Sequence, residues 1–392
     1  METQEDATEV KAGATDIEKT KNKQKRLKVR VLIELVLFVT IVSASLIYQA
    51  PVTPLGFNVS VVMSSNERLE TAVDKKIGPI PRGLIGSITV VTKDSGMLEK
   101  EDFTWVFQTF TGSHCFKKFD FSGANVEKNT IPDNAFSPPY EGALSDESIM
   151  TNLKEVDMPK SIVSIGQGAF SNCENLIKCD LPEGLTEIQG ETFYGCTNLS
   201  IKKLPRGITV IGEAAFEECD NLAVKELPKG LIKIGDNAFN KCQNMKINAL
   251  PTGLSSVGIG AFSGCGSMKV SEIPEKVKSI ESLTFAYSGI EKMILNKNIT
   301  YIDEGAFQDC QSLENVVFQS KTAPRIVKDA FGELSDVNVY YPDTWTAVPQ
   351  ALQLPNLKLI KYDSTKGLPV IKDSSPKNTN NTHNTQNVNN RI

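Results

Sequence analysis

The chain has 392 residues, a formal net charge of −5 and 40% hydrophobic residues, more than one ordinary domain needs and ample for a large core. Mild acidity excludes a global basic field for nucleic acid. Its two histidines, His114 and His383, leave little for a histidine general base or a multi-histidine metal site.

Residues 1–30 are polar, and between Lys19 and Arg30 seven Lys or Arg crowd together. Residues 31–50, VLIELVLFVTIVSASLIYQA, are mostly apolar with one acid, Glu34. At about 1.5 Å per residue this run spans roughly 30 Å, the hydrocarbon thickness of a bilayer. A buried core helix is the alternative, but the run is apolar all round with a basic cluster on one flank only. That cluster predicts a basic cytoplasmic tail at 1–30 and a signal anchor at 31–50, with everything beyond residue 50 outside the membrane. Glu34 lies near the cytoplasmic end, one turn from Arg30. Cleavage after the small residues Val42-Ser43-Ala44 is the rival reading, and it yields a secreted protein.

Residues 51–66, with Pro51 and Pro54, read as an extracellular linker, and 67–152 as an N-terminal cap over an open hydrophobic end. Within the cap, 86–91 predicts a strand. Residues 97–110 predict an amphipathic helix with Phe103, Val106, Phe107 and Phe110 on one face. Residues 116–136 resemble a degenerate first repeat, and the polar stretch 137–152 reads as a surface loop.

From 153 to 342 the chain repeats. Prolines recur every 23 residues at Pro159, Pro182, Pro205, Pro228, Pro251 and Pro274, and phenylalanines keep step at Phe170, Phe193, Phe216, Phe239, Phe262 and Phe285, continuing to Phe307 and Phe331. Cysteines share the phase at Cys173, Cys196, Cys219, Cys242 and Cys265; Ser288 interrupts them and Cys310 resumes. In the unit LAVKELPKGLIKIGDNAFNKCQN, residues 222–227 predict a strand that Pro228 ends. Gly230 and Gly235 supply turns, Leu231 and Ile234 point inward, and Phe239 closes the coil and stacks on its neighbours. The implied fold is a solenoid with a parallel β-sheet face and short irregular or 3-10 return segments, preceded by one transmembrane helix. No unit buries its apolar face alone, so the units stack.

Each unit also leaves polar residues outside the apolar pattern. These are Lys178 and Asp180, then Lys202 and Lys203, Lys225 and Glu226, Asn248 with Ala249, and Ser271 and Glu272. Lining one face of the parallel sheet, they are either a plain solvated face or a stripe of ligand contacts. Their mixed signs argue against a dedicated polyanion groove. The cysteines read as small buried thiols; coil spacing leaves disulfides between neighbours conceivable. With no CxxC pair and no histidine nearby, the column offers no metal site.

The units LPEGLTEIQGETFYGCTNL and LPKGLIKIGDNAFNKCQNM closely resemble the BspA-like, Treponema-type leucine-rich repeat family, whose pattern is LPxGLxxIGxxAFxxCxxL. The resemblance covers about 153–342. It implies the solenoid fold and a place on bacterial or protist cell surfaces, where some members resemble adhesins; it brings no catalytic residues and no cofactor. Two departures stand out: Lys297 takes the proline position in the seventh unit, and the sixth is one residue short at Ser288-Gly289.

The array closes with VNVYYPDTW and residues 343–362, and 363–392 predict a disordered Asn-rich tail. The sequons at Asn58, Asn198, Asn298 and Asn380 carry weight only in a eukaryote. No GxSxG, HExxH or phosphate loop marks an enzyme. The expected function is therefore binding of a protein or glycan at the cell surface, with a ligand-free structural spacer as the alternative.

Overall fold

The computed structural model describes residues 56–371, apart from 79–80, 112, 138–151, 333 and 335. The basic tail at 1–30, the candidate span at 31–50, most of the 137–152 insertion, and residues 372–392 of the tail with the sequon at Asn380 lie outside the described residues; the start of the expected disordered tail instead forms a 3-10 turn at Ser364–Lys366. Among the described residues, no helix is long and apolar enough to cross a membrane.

The cap is built from β1 (Phe57–Met63), α1 (Leu69–Ile77), β2 (Ile85–Thr92), α2 (Lys100–Phe110) and β3 (Lys118–Gly123). The three strands pair in parallel, with the two helices as crossovers. In α1 the buried residues Leu69, Ala72, Val73 and Ile77 fall at helical spacing on one face. In α2, Phe103, Val106 and Phe110 are buried and Phe107 is half-buried. Buried Asp102 accepts hydrogen bonds from the backbone N–H groups of Leu69 (3.0 Å) and Glu99 (2.9 Å), tying together the starts of both helices. Phe103 then meets Phe119, Phe121 and Phe136 edge-on at 6.4, 5.6 and 5.9 Å, a favoured aromatic geometry.

Two corrections follow in the cap. Residues 57–63, expected within a linker, form β1, with Val59, Val61 and Met63 turned into the core. The proline-rich start masked a period-2 alternation. The helix α1 was not anticipated either, because its four apolar residues are diluted by five polar or charged ones.

Beyond the cap the coils begin at Leu153, Leu176, Leu199, Leu222, Met245, Met268, Ile290 and Leu313, numbered here 1 to 8. Each has a front leg, a return leg and a closing loop. The front leg of the first two coils extends the cap sheet through strands Glu155–Asp157 and Lys178–Cys179. The return legs pair separately, through Glu187–Ile188, Val210–Ile211, Lys233–Ile234 and Ser256–Val257. Front strands resume at Lys292–Leu295 and Asn315–Phe318 and finish with Val337–Pro342 and Leu357–Tyr362 in a second parallel sheet.

The strand expected at 222–227, and its counterparts in coils 3, 5 and 6, are absent as regular strands. Single backbone bonds hold these legs together instead: Ala223 N–H to the Ile201 carbonyl (3.0 Å), Lys246 to Val224 (3.1 Å) and Lys269 to Ile247 (2.9 Å). The cause is the apolar pattern. Coils 1 and 2 place inward residues two apart, as in Val156 and Met158. Coils 3 to 6 separate them with two consecutive outward residues, such as Lys202-Lys203, which a pleat of period 2 does not accommodate.

The closing loops carry the core. Phe rings stack from Phe136 through Phe170, Phe193, Phe216, Phe239, Phe262, Phe285 and Phe307 to Phe331, with centroids 4.9 to 5.8 Å apart. From Phe136 to Phe239, and again at Phe285, both backbone groups of the Phe are engaged by the next coil. Phe216, for example, donates its N–H to the Ala238 carbonyl at 2.9 Å, while its own carbonyl accepts from the Cys242 thiol at 3.1 Å. Cys196, Cys219, Cys265 and Cys310 repeat the thiol contact at 3.0 to 3.1 Å. All eight cysteines are buried and free, so neighbouring thiols are not bridged. The thiol supplies a donor to a carbonyl that water does not reach.

Candidate binding face

The front legs decide where a ligand has room. In coils 1 and 2 the surface is a paired sheet. Lys178 bonds Asp157 at 2.8 Å, and Asp157 also takes Lys118 at 2.6 Å. Partial burial pushes the Asp157 carboxyl up, but hydrogen bonds from Lys118 and Lys178 outweigh it and hold the group below its ordinary value. The same hydrogen bond raises Lys178. Asp180 lies 3.9 Å from Lys178 and is largely exposed. This corner is a satisfied charge network.

Where the ladder lapses, the outward pairs stand proud of an apolar floor. A groove of about 1090 Å³ runs over coils 4 to 6, with Lys225, Glu226, Lys229, Lys246, Asn248, Ala249 and Lys269 along it and Leu227, Leu250 and Pro251 beneath. A neighbouring groove of about 390 Å³ shares Asn248 and brings in Ser271, Glu272, Glu275 and Asn296. The structure therefore collects Lys225, Glu226 and Asn248 in one recess, and Asn248, Ser271 and Glu272 in the next. Lys202 and Lys203 are exposed on the adjoining coil 3 and line neither recess. Ser271 is half-buried, and its carbonyl accepts from Ile294 N–H at 2.8 Å.

The expectation that these residues line one face of a sheet is thus corrected for coils 3 to 6, where they edge a groove on an irregular leg. Three groove lysines were not singled out from sequence: Lys229, Lys246 and Lys269. The signal was present, since Lys246 and Lys269 each follow the first apolar residue of their coil, at the same repeat position. It was passed over because the eye follows the outward pair two residues later.

Three lysines meet acids of a neighbouring coil: Lys241 with Glu218 (2.6 Å), Lys297 with Glu275 (3.3 Å) and the groove residue Lys269 with Glu291 (2.5 Å). Among the described residues Lys202, Lys203, Lys225, Lys229 and Lys246 enter no ion pair.

The model of the BspA-type leucine-rich repeat region matches residues 149–249 and 232–352 in six copies. No curated protein matches the chain. Among solved structures, the chain is similar to a leucine-rich repeat protein from Bacteroides ovatus, at 25% identity over 59% of this chain and 69% of that one with a TM-score of 0.41. It is also similar to a leucine-rich cell surface protein from Faecalibacterium prausnitzii, at 16% identity over 77% and 87% with a TM-score of 0.35. A third likeness is to the pneumococcal vaccine antigen PcpA, at 18% identity over 79% and 90% with a TM-score of 0.38.

Proposed function

The chain belongs to the BspA-type leucine-rich repeat family, and on that premise we propose that it is a membrane-anchored, extracytoplasmic binding protein that engages a protein or glycan at the cell surface. The contact face is the front leg of coils 2 to 6, where Lys178, Asp180, Lys202, Lys203, Lys225, Glu226, Asn248, Ser271 and Glu272 are the candidate contacts. The observation that carries this reading is the interruption of the front ladder, which leaves polar side chains over an apolar floor in grooves of about 1090 and 390 Å³. A repeat whose only task was to space the envelope has no use for such an interruption, since an unbroken sheet is the more regular packing. The anchor rests on the apolar run 31–50 beside a basic cluster.

Beads coated with the full chain test the binding face by their adherence to cells or to extracellular matrix. Exchanging Lys202, Lys203 and Lys225 for Ala lowers adherence by about fivefold or more if these lysines contribute as interface charges do. Unchanged adherence places the site elsewhere, and no adherence by the wild type favours the spacer. Protease treatment of intact cells tests the topology: a protected N-terminal fragment marks an anchor, and shortened protein in the medium marks cleavage.

A further inference from the structure

We propose that the larger groove is a binding track for an acidic polysaccharide, read through its sulfate or carboxylate groups by Lys225, Lys229 and Lys246, with Lys202 and Lys203 extending the track onto coil 3. This rests on the binding-face reading above and narrows its ligand.

The outward pairs, taken in order along the chain, mix signs. Folding separates them along the solenoid. Glu272 and Glu275 belong to the smaller groove, and the larger one holds four lysines against a single acid, Glu226. Of those lysines only Lys269 is neutralised, by Glu291 at 2.5 Å. Lys202 and Lys225 occupy the same repeat position in successive coils, and the Phe rings of those coils are 5.6 Å apart. Like charges gathered on one exposed face repel one another and attract anions. What sets this face apart is the gathering of Lys225, Lys229 and Lys246 in one recess, none of them in an ion pair among the described residues. An anionic polymer lying over it converts that repulsion into attraction and releases its own counterions.

The kind of cation narrows the ligand further. Every cation in the groove is lysine, a compact point charge on a flexible stem, which suits scattered sulfates or carboxylates better than one fixed phosphate clamped by arginine forks. Nucleic acid is disfavoured because no aromatic side chain lines the groove for bases to stack upon. A protein partner is disfavoured because the recess lacks the Trp, Tyr or Arg anchors on which protein interfaces depend.

The test titrates the purified full chain with heparin and with polygalacturonate, using dextran as the uncharged control and a single-stranded oligonucleotide as the rival polyanion. Binding is read by interferometry at about 50 and about 200 mM NaCl, a range over which several charge contacts are lost. The groove variant is Lys225→Gln with Lys229→Gln and Lys246→Gln. The control carries the same charge change at Lys321, Lys328 and Lys361, which are exposed on the C-terminal coil and closing segment. The proposal expects binding of at least one acidic polysaccharide and not of dextran. It also expects a loss of about tenfold in the groove variant and about twofold or less in the control. If the triple variant melts early, the single variants Lys225→Gln and Lys246→Gln carry the test, each expected to lose about two- to threefold. Equal losses in groove and control variants, tighter binding of the oligonucleotide, or no polysaccharide binding overturns it. Bead adherence separates the two readings: adherence that survives without polysaccharide binding sinks only the ligand class, and absence of both sinks the binding face as well.

Discussion

Two glycines of one repeat, Gly230 and Gly235, look alike in sequence and differ in what they bear. A Cβ on Gly235 falls 2.6 Å from the Glu213 backbone nitrogen and 2.7 Å from the Gly212 carbonyl carbon, whereas one on Gly230 meets nothing closer than 3.9 Å. Gly235 is fixed by the close approach of successive coils, a contact with backbone that has no rotamer to give. Gly235→Ala is expected to cost about 1–3 kcal/mol as overpacking does, and Gly230→Ala to stay within about 0.5 kcal/mol; urea midpoints of the two variants decide it. Asn296 illustrates compensation at the same scale. The proline position of coil 7, expected at Lys297, falls on Asn296 because coil 6 is one residue short: Ile299 N–H reaches the Asn296 carbonyl as Val277 N–H reaches that of Pro274. The buried Asn296 amide donates to the carbonyls of Pro274 (2.6 Å) and Val277 (3.0 Å) and accepts from Asn298 N–H (2.7 Å). Asn296→Ala leaves those groups without this partner and is expected to cost about 1–3 kcal/mol, measured by the same denaturation. A change below about 0.5 kcal/mol shows the turn holds without it.

At the scale of the element, the Phe and Cys columns act together. Burial pushes the Cys173 thiol from its ordinary 9.0 up to about 12, and Cys310 up to about 11. The folded thiol therefore stays protonated where an unfolded one ionises. A folded value above the unfolded one means that the stabilisation is complete below pH 9.0 and is lost as pH climbs towards about 11 to 12. Thiol reagents are expected to leave the native chain unmodified at about pH 8 and at about pH 9.5, below and above the ordinary thiol value, and to modify all eight cysteines once it is unfolded. Rapid native labelling that rises through pH 9 shows an open thiol and contradicts the packing. The 23-residue period, the Phe stack and the face of α2 were legible because each is a periodic signal carried by large apolar residues. The loss of the front strands was only half legible. The change from Val156 and Met158 to Ile201 and Leu204 is visible in the chain, but two consecutive outward residues break the pleat only when neighbouring coils are in register. Of the candidate site, the outward pairs were legible. Lys246 and Lys269 were legible as a repeated position but not as groove residues, and Lys229 was not legible, because all three join the groove only through the stacking of one coil on the next.

For the whole array, stability is a sum of coil terms and coil–coil interfaces, because each coil touches only its neighbours. The chain's two tryptophans sit near opposite ends: Trp105 packs edge-on to Phe110 at 5.8 Å in the cap, and Trp345 packs on Phe318 at 5.1 Å in the closing segment. Single-tryptophan chains, Trp345→Phe for the cap and Trp105→Phe for the closing segment, report each end alone. With every coil intact, the unbroken Phe stack couples the ends, and in urea each reporter is expected to follow the transition that circular dichroism gives in the same chain. Phe239→Ala removes a ring stacked at 5.6 Å on both sides. That costs about 3–5 kcal/mol as large-to-small core changes do, and the loss falls at two interfaces in the middle of the array. The cap half retains a five-stranded sheet and the closing half a four-stranded one, so each keeps a core of its own. In the Phe239→Ala background the dichroism transition is expected to split, with one reporter following each step. A single shared transition in that background means that cooperativity passes through the front-leg bonds and the thiol contacts without the central ring, and it removes the Phe stack as the main coupling between the two halves.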